Sequence, residues 1–194
     1  ISALLLEPQR NTAGLPIVLQ HRHFHFVTNG KQFRRMSDSP PRHVSNVEQS
    51  IDPAKVDSRA QRADWGADDE TVVIGLVGRI DPAKGQDVFI KAAAGLLMSL
   101  KADVKVKFVM VGAETIGGEQ GYLEELREMV RQFRLDPFVV FAGFRENIAE
   151  VMGAFDVVVM PSQQEAFGLV AIEAMAMECP VVISNAGSAE EIVG

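Results

Sequence analysis

Two short stretches of the chain carry residue types that could hold a phosphorylated, hydroxyl-rich ligand. The first is Gly78-Arg79-Ile80-Asp81-Pro82-Ala83-Lys84-Gly85, a loop with two cations, two glycines and a proline. Arg79 and Lys84 could meet two phosphates of one diphosphate. Gly85 could let the amides opening a following helix approach the same anion, where the helix dipole favours negative charge. The loop is not a Walker A loop, because Lys84 precedes Gly85 and no Ser or Thr follows to hold Mg²⁺. Its glycines also lack the dinucleotide-binding spacing. A plain surface turn, with Lys84 paired to Asp81, accounts for the same residues equally well.

The second stretch is Glu165-Ala166-Phe167-Gly168-Leu169-Val170-Ala171-Ile172-Glu173-Ala174-Met175-Ala176. From Phe167 onward it reads as a helix that is apolar nearly all round, and is therefore expected to be buried. Glu173 is the one charged residue in its interior. A buried carboxylate is unfavourable by several kcal/mol unless it is paired or hydrogen-bonded. A ribose or sugar diol would satisfy it with two hydroxyl donors, and so would a structural salt-bridge partner. Glu165 stands just before the amide-rich helix start, and Gly168 leaves room for a ligand there.

The elements that must position these stretches are legible as an alternation. Apolar, β-branched runs at 71–77, 104–111, 138–141, 156–160 and 180–184 predict strands. Stripes of helical period predict helices over 86–100, 119–133, 145–154 and 167–177. Strand and helix alternate five times with no hairpin signal between them. The fold class is thus α/β, a Rossmann-like parallel sheet with helices on both faces. In open sheets of this kind, ligands bind beyond the carboxyl ends of the strands. Both stretches fall in such loops.

Residues 1–70 are weakly patterned and read as the end of an N-terminal domain or a linker, with 71–194 as the regular domain. His21, His23 and His25 alternate as one polar face of a strand would, and no Cys, Asp or Glu ligand is evenly placed beside them, so no metal site is expected. The net charge of −7 argues against a nucleic-acid partner. The single cysteine, Cys179, excludes an internal disulfide and points to a reducing compartment. No apolar run approaches the roughly 20 residues of a membrane span. The start at Ile1 and the stop at Gly194 suggest a fragment, truncated at its C-terminus.

Two carboxylates bracketing seven residues, with Phe167-Gly168-Leu169 after the first and Glu173-Ala174-Met175-Ala176 at the second, resemble the E-x7-E motif of retaining glycosyltransferases. The large family most similar is family 4 (group 1), of two-domain GT-B architecture. Gly78-Arg79 followed by Lys84-Gly85 is similar to that family's diphosphate loop. Val109 to Gly112, Phe141 to Phe144 and Pro161-Ser162 also fall where the family has recurring loops. The likeness is dense over 71–194 and loose over 42–70.

The resemblance implies a division of labour. Arg79 and Lys84, beside Gly78, would bind the donor diphosphate and stabilise the departing nucleotide. Glu173 would bind the ribose hydroxyls. Glu165 would face the donor sugar, beside the backbone amides of Phe167, Gly168 and Leu169, and Phe144 and Arg145 would lie by the base. The catalytic group would be Arg79, Lys84 and Glu165. No metal or other cofactor is expected. The implied enzyme moves a hexose from a UDP- or GDP-sugar to a saccharide or lipid-linked acceptor with retention of configuration, as in polysaccharide biosynthesis. The acceptor would be bound through the N-terminal domain, almost wholly absent here, so this piece alone is expected to be inactive. A cytoplasmic site is implied, with room for peripheral association at the inner membrane face. A nucleotide-sugar 2-epimerase of the same architecture and a non-catalytic nucleotide-sugar-binding module are the alternatives. One departure stands out. Where the family commonly has Gly before Cys-Pro, this chain has Glu178, which would cost about 1 kcal/mol in a left-handed helix cap or else adopt another turn.

Overall fold

The computed structural model describes residues 24–27, 53–114, 121–163 and 168–185. Its strands are β1 (Phe24–Val27), β2 (Val72–Val77), β3 (Val106–Val111), β4 (Val139–Gly143), β5 (Val157–Met160) and β6 (Val181–Ser184). Its helices are α1 (Arg59–Asp64), α2 (Gln86–Leu97), α3 (Tyr122–Gln132), α4 (Ile148–Gly153) and α5 (Leu169–Ala176). The six strands form one sheet in the order β1-β6-β5-β2-β3-β4. Strands β2 to β6 are mutually parallel, as the alternation predicts. The sheet extends one strand further than that pattern shows, because β1 pairs antiparallel with β6.

Two apolar layers sandwich the sheet. Along β2, Val73 packs into one layer while Ile74 and Leu76 pack into the other, the two-residue period of a strand buried on both faces. Phe89 and Ile90 of α2 and Leu126 and Val130 of α3 fill one layer. Val151 and Met152 of α4, with Ala171, Ala174 and Met175 of α5, fill the other. Trp65 joins this second layer and stacks on Phe155 with ring centroids 5.2 Å apart. Phe155 in turn occupies the place a side chain would need at Gly75, where a Cβ would lie 2.4 Å from its Cζ. That contact explains a glycine in the middle of a buried strand.

Arg62 ties the amino ends of the central strands together. Its guanidinium donates to the carbonyls of Thr71, Asp68 and Ala154 and pairs with Asp156 at 3.2 Å. Asp156 also accepts from the Val73 amide at 2.7 Å. Only 16% of the Arg62 side chain is exposed, so these bonds form in a poorly screened setting.

α2 starts at Gln86 as periodicity predicts, while α3, α4 and α5 start two or three residues later, the first two for local reasons. Asn147 caps α4 by accepting from the Glu150 amide, which moves the start to Ile148. Gly121, at φ +90°, breaks the chain before α3, and the Glu114 carboxylate accepts from Leu123 in its first turn. At the end of α5 the amide of Glu178 bonds to the Met175 carbonyl and that of Cys179 to the Ala174 carbonyl, at 3.0 and 2.9 Å. This is a Schellman cap with Glu178 in its left-handed position, at φ +58°. The departure at Glu178 thus resolves as a left-handed cap rather than another turn. α1 ends in the same motif with glycine, Gly66, at that place.

Candidate functional site

Strand order reverses between β2 and β5. From β2 the chain winds outward through β3 to β4, then returns to β5 on the other side of β2 and continues to β6. The loops leaving the carboxyl ends of β2 and β5 therefore lie at the switch point, the place where open α/β sheets bind ligands. These are the two loops that the sequence singles out.

The loop after β2 is held tightly. Gly78 continues the strand by donating to Val111 at 2.9 Å, and Ile80 donates to Ala113 at 3.0 Å. Asp81 accepts from the Ala83 amide at 2.9 Å and so caps a single 3-10 turn, Pro82–Lys84. The same carboxylate lies 3.6 Å from the guanidinium of Arg79. Asp81 thus serves both the turn and Arg79. The Lys84 stem folds back over Gly78, whose hypothetical Cβ would lie 3.8 Å from Lys84 Cγ. Arg79 is well exposed, with 60% of its side chain accessible. Two cationic stems thus rise from one short loop, at the start of α2.

Gly85 is the N-cap of α2, at φ +73°. A Cβ there would lie 2.3 Å from the Pro161 carbonyl oxygen, which belongs to the loop after β5. A second contact joins the loops where Gln163 donates to the Ala83 carbonyl at 2.9 Å. The sequence signals Gly85 as a point of close approach to a ligand; the structure shows that it is first a point of close approach between the loops. Behind them Gly112, at φ +149°, lies so near Gly78 that a Cβ would fall 1.8 Å from the Gly78 carbonyl oxygen.

The loop after β5 leads into α5 through Gly168, which is buried and left-handed at φ +66°. Glu165 and Phe167 lie outside the described residues. Leu169 begins the helix and is 47% exposed. Glu173 follows one turn later and is half-buried. Burial raises its carboxyl above the usual range, and among the described residues no cation pairs with it. The expectation of a wholly buried helix is corrected here. Ala171, Ala174 and Met175 are buried, but Leu169 is open and Val170, Ile172 and Glu173 are only partly covered. A helix apolar all round has no sequence signal for which side meets the core.

Phe144 and Arg145 leave the carboxyl end of β4 after Gly143, which takes φ +69°. Phe144 is 72% exposed, an unusual state for a large aromatic side chain. Arg145 is turned back toward the fold and pairs with Asp64. The structure therefore joins the loop of Gly78, Arg79 and Lys84 to Pro161 and Gln163 of the loop after β5, the loop that precedes Gly168, Leu169 and Glu173 in the chain. It sets Phe144 and Arg145 on the same edge of the sheet, two strands away from β2. Sequence reasoning missed Gln86. This first residue of α2 is fully buried and donates from Nε2 to the Arg79 carbonyl at 2.7 Å. Its signal was a polar residue directly after the loop's last glycine.

The family model for glycosyl transferases, group 1, matches residues 57–194. The chain belongs to this family. Similar curated members include a D-inositol 3-phosphate glycosyltransferase of Corynebacterium kroppenstedtii, 33% identical over 77% of this chain and 35% of its own length. The protein of the same name from Jonesia denitrificans is 40% identical over 66% of this chain and 30% of its own. The chain thus spans about a third of the length of these glycosyltransferases. Among solved structures, Anabaena Alr3699/HepE in complex with UDP-glucose superposes with a TM-score of 0.63 and 35% identity. That match covers 71% of this chain and 36% of the other. The C-terminal domain of a group 1 glycosyl transferase from Francisella tularensis matches with a TM-score of 0.56 and 34% identity, over 69% of this chain and 67% of that domain. The fold is accordingly the Rossmann-like C-terminal half of a GT-B glycosyltransferase. Among the described residues no helix of this group 1 member is long and apolar enough to cross a membrane.

Proposed function

We propose that this chain is the donor-binding part of a retaining hexosyltransferase that takes a hexose from a nucleoside-diphosphate sugar, UDP-linked in the first instance. The observation that carries the reading is the contact between the two loops at the switch point. It joins the loop bearing Arg79 and Lys84 to the loop after β5, and the chain beyond that loop carries Glu173, a carboxylate with no cationic partner among the described residues. The UDP-glucose complex of the Anabaena relative supports UDP as the base to test first.

In this reading Arg79, Lys84 and the first amides of α2 neutralise the diphosphate, both in the bound donor and as the nucleotide departs. Preset charges and dipoles of this kind stabilise developing charge without rearranging. Glu173 accepts from the ribose hydroxyls, and Glu165, with the amides of Phe167, Gly168 and Leu169, faces the sugar. Phe144 and Arg145 approach the base. No metal or other cofactor takes part. The saccharide or lipid-linked acceptor is bound by the other half of a complete enzyme, acting in the cytoplasm or at the inner membrane face. The isolated piece binds donor without turnover, because an open cleft neither excludes water nor places an acceptor.

Calorimetry of the chain with UDP, GDP and their glucose conjugates, in EDTA, tests the site. Binding that appears only with Mg²⁺ or Mn²⁺ would overturn it. For the enzyme containing this chain, NMR of the product anomer tests retention. Release of free UDP only with acceptor present separates transfer from a binding module, and isomerised UDP-sugar would mark an epimerase.

A further inference from the structure

The peptide unit joining Arg79 to Ile80 is held at both ends. Its amide, on Ile80, donates to the Ala113 carbonyl at 3.0 Å, and its carbonyl, on Arg79, accepts from Gln86 Nε2 at 2.7 Å. Because Arg79 offers a carbonyl oxygen, the nitrogen end of the Gln86 amide must face it. Gln86 has no exposed surface, and its Oε1 is buried with no hydrogen-bond partner. A fully buried amide left half-satisfied is a net burden, so folding alone gives no reason to keep it. An apolar side chain of the same volume would fill the space without the orphaned oxygen. The bond closes a ring of eight residues, from Arg79 to Gln86, whose last turn is fixed by the left-handed Gly85 against Pro161.

We infer that Gln86 is a positioning residue for Arg79: it fixes the 79–80 peptide so that the guanidinium is already aimed at the diphosphate before the ligand arrives. This rests on the donor-binding reading above and extends it to a residue that touches no ligand. Arg79 is exposed, and among the described residues its side chain is otherwise tethered only by the 3.6 Å approach to Asp81. Its aim therefore depends on the peptide from which it grows. Preset geometry contributes to affinity because the ligand need not order the loop on binding.

The test is a thermodynamic cycle on the full chain, with UDP and uridine as ligands. Gln86→Met keeps the volume and removes the donor. It should weaken UDP binding about tenfold, roughly one charge-assisted hydrogen bond, and leave uridine binding unchanged. In an Arg79→Ala background the same substitution should have no further effect on UDP, since the group it aims is gone. Equal losses for UDP and uridine, or full additivity with Arg79→Ala, would make Gln86 a purely structural residue. The wild-type chain supplies a second readout that does not depend on how well the variant folds. The Ile80 amide should resist hydrogen exchange without nucleotide as well as the amides of β2 do; rapid exchange that slows only with UDP would refute a preset loop. Wild-type chain that binds no nucleoside diphosphate would instead refute the donor-site reading itself.

Discussion

Glu173 is where the functional reading meets the physics of the fold most directly. Its carboxyl is half-buried, its proton affinity is raised by desolvation, and no cation pairs with it among the described residues. A group whose folded pKa lies above its unfolded value binds protons more tightly when folded. Its charged form therefore opposes folding above the folded pKa, and the burden is relieved as pH falls through the carboxylate range. Glu173→Gln removes the charge and keeps the shape, so without ligand the variant should be as stable as wild type or slightly more so near pH 7. The two melting temperatures should converge as the pH is lowered toward 4. Donor binding should move the other way. A carboxylate accepting from two ribose hydroxyls makes two charge-assisted bonds, and an amide can replace only one acceptor, without the charge. Loss of about 1.5–3 kcal/mol is expected, a Kd for UDP raised roughly tenfold to 150-fold. A 2′,3′-dideoxy analogue should bind wild type and variant alike. The assays are calorimetry with both nucleotides and a thermal melt from pH 4 to 8. A variant that melts far lower while binding UDP as wild type does would refute the argument and make Glu173 a structural residue.

Lys84→Ala should weaken UDP roughly tenfold to hundredfold and uridine hardly at all, because the lost contact is to phosphate; titration with both ligands checks it, and equal losses would remove Lys84 from the diphosphate site. Glu178→Gly should stabilise the chain by about 0.5–1 kcal/mol, since glycine takes the left-handed cap at φ +58° without the side-chain clash, less the entropy it adds to the unfolded state. Denaturant melts measure this, and a destabilised variant would show that the Glu178 side chain has a role the cap geometry does not reveal. The Cys179 thiol is buried and pushed up to about 12 by desolvation, so it should resist alkylation at pH 8 in the folded chain and react readily once urea unfolds it.

The sequence by itself determined the elements and much of the site's inventory. Buried strands and amphipathic helices are local patterns, written in consecutive side chains, so the order of β2 to β6 and α2 to α5 was legible without coordinates. The loop Gly78 to Gly85 declared itself through residue type, since cations, glycines and a proline between a strand and a helix have few uses. Tertiary structure decided what those patterns could not encode. Strand order is set by which layers pack together across long stretches of chain, so only the fold shows that the loops after β2 and β5 touch at Gly85 and Pro161. The antiparallel addition of β1 is likewise a long-range pairing. Gly75 is explained by Phe155, eighty residues later, and Arg62 by carbonyls at Thr71 and Ala154. Whether Glu173 is enclosed or half-open depends on which flank of α5 the core covers, and a helix apolar all round has no stripe to announce it. Gln86 is the clearest case. A polar residue after the loop's last glycine was all the sequence offered, and only the closed loop puts its amide against the Arg79 carbonyl, because a hydrogen bond between residues seven apart requires the intervening turn to have folded first.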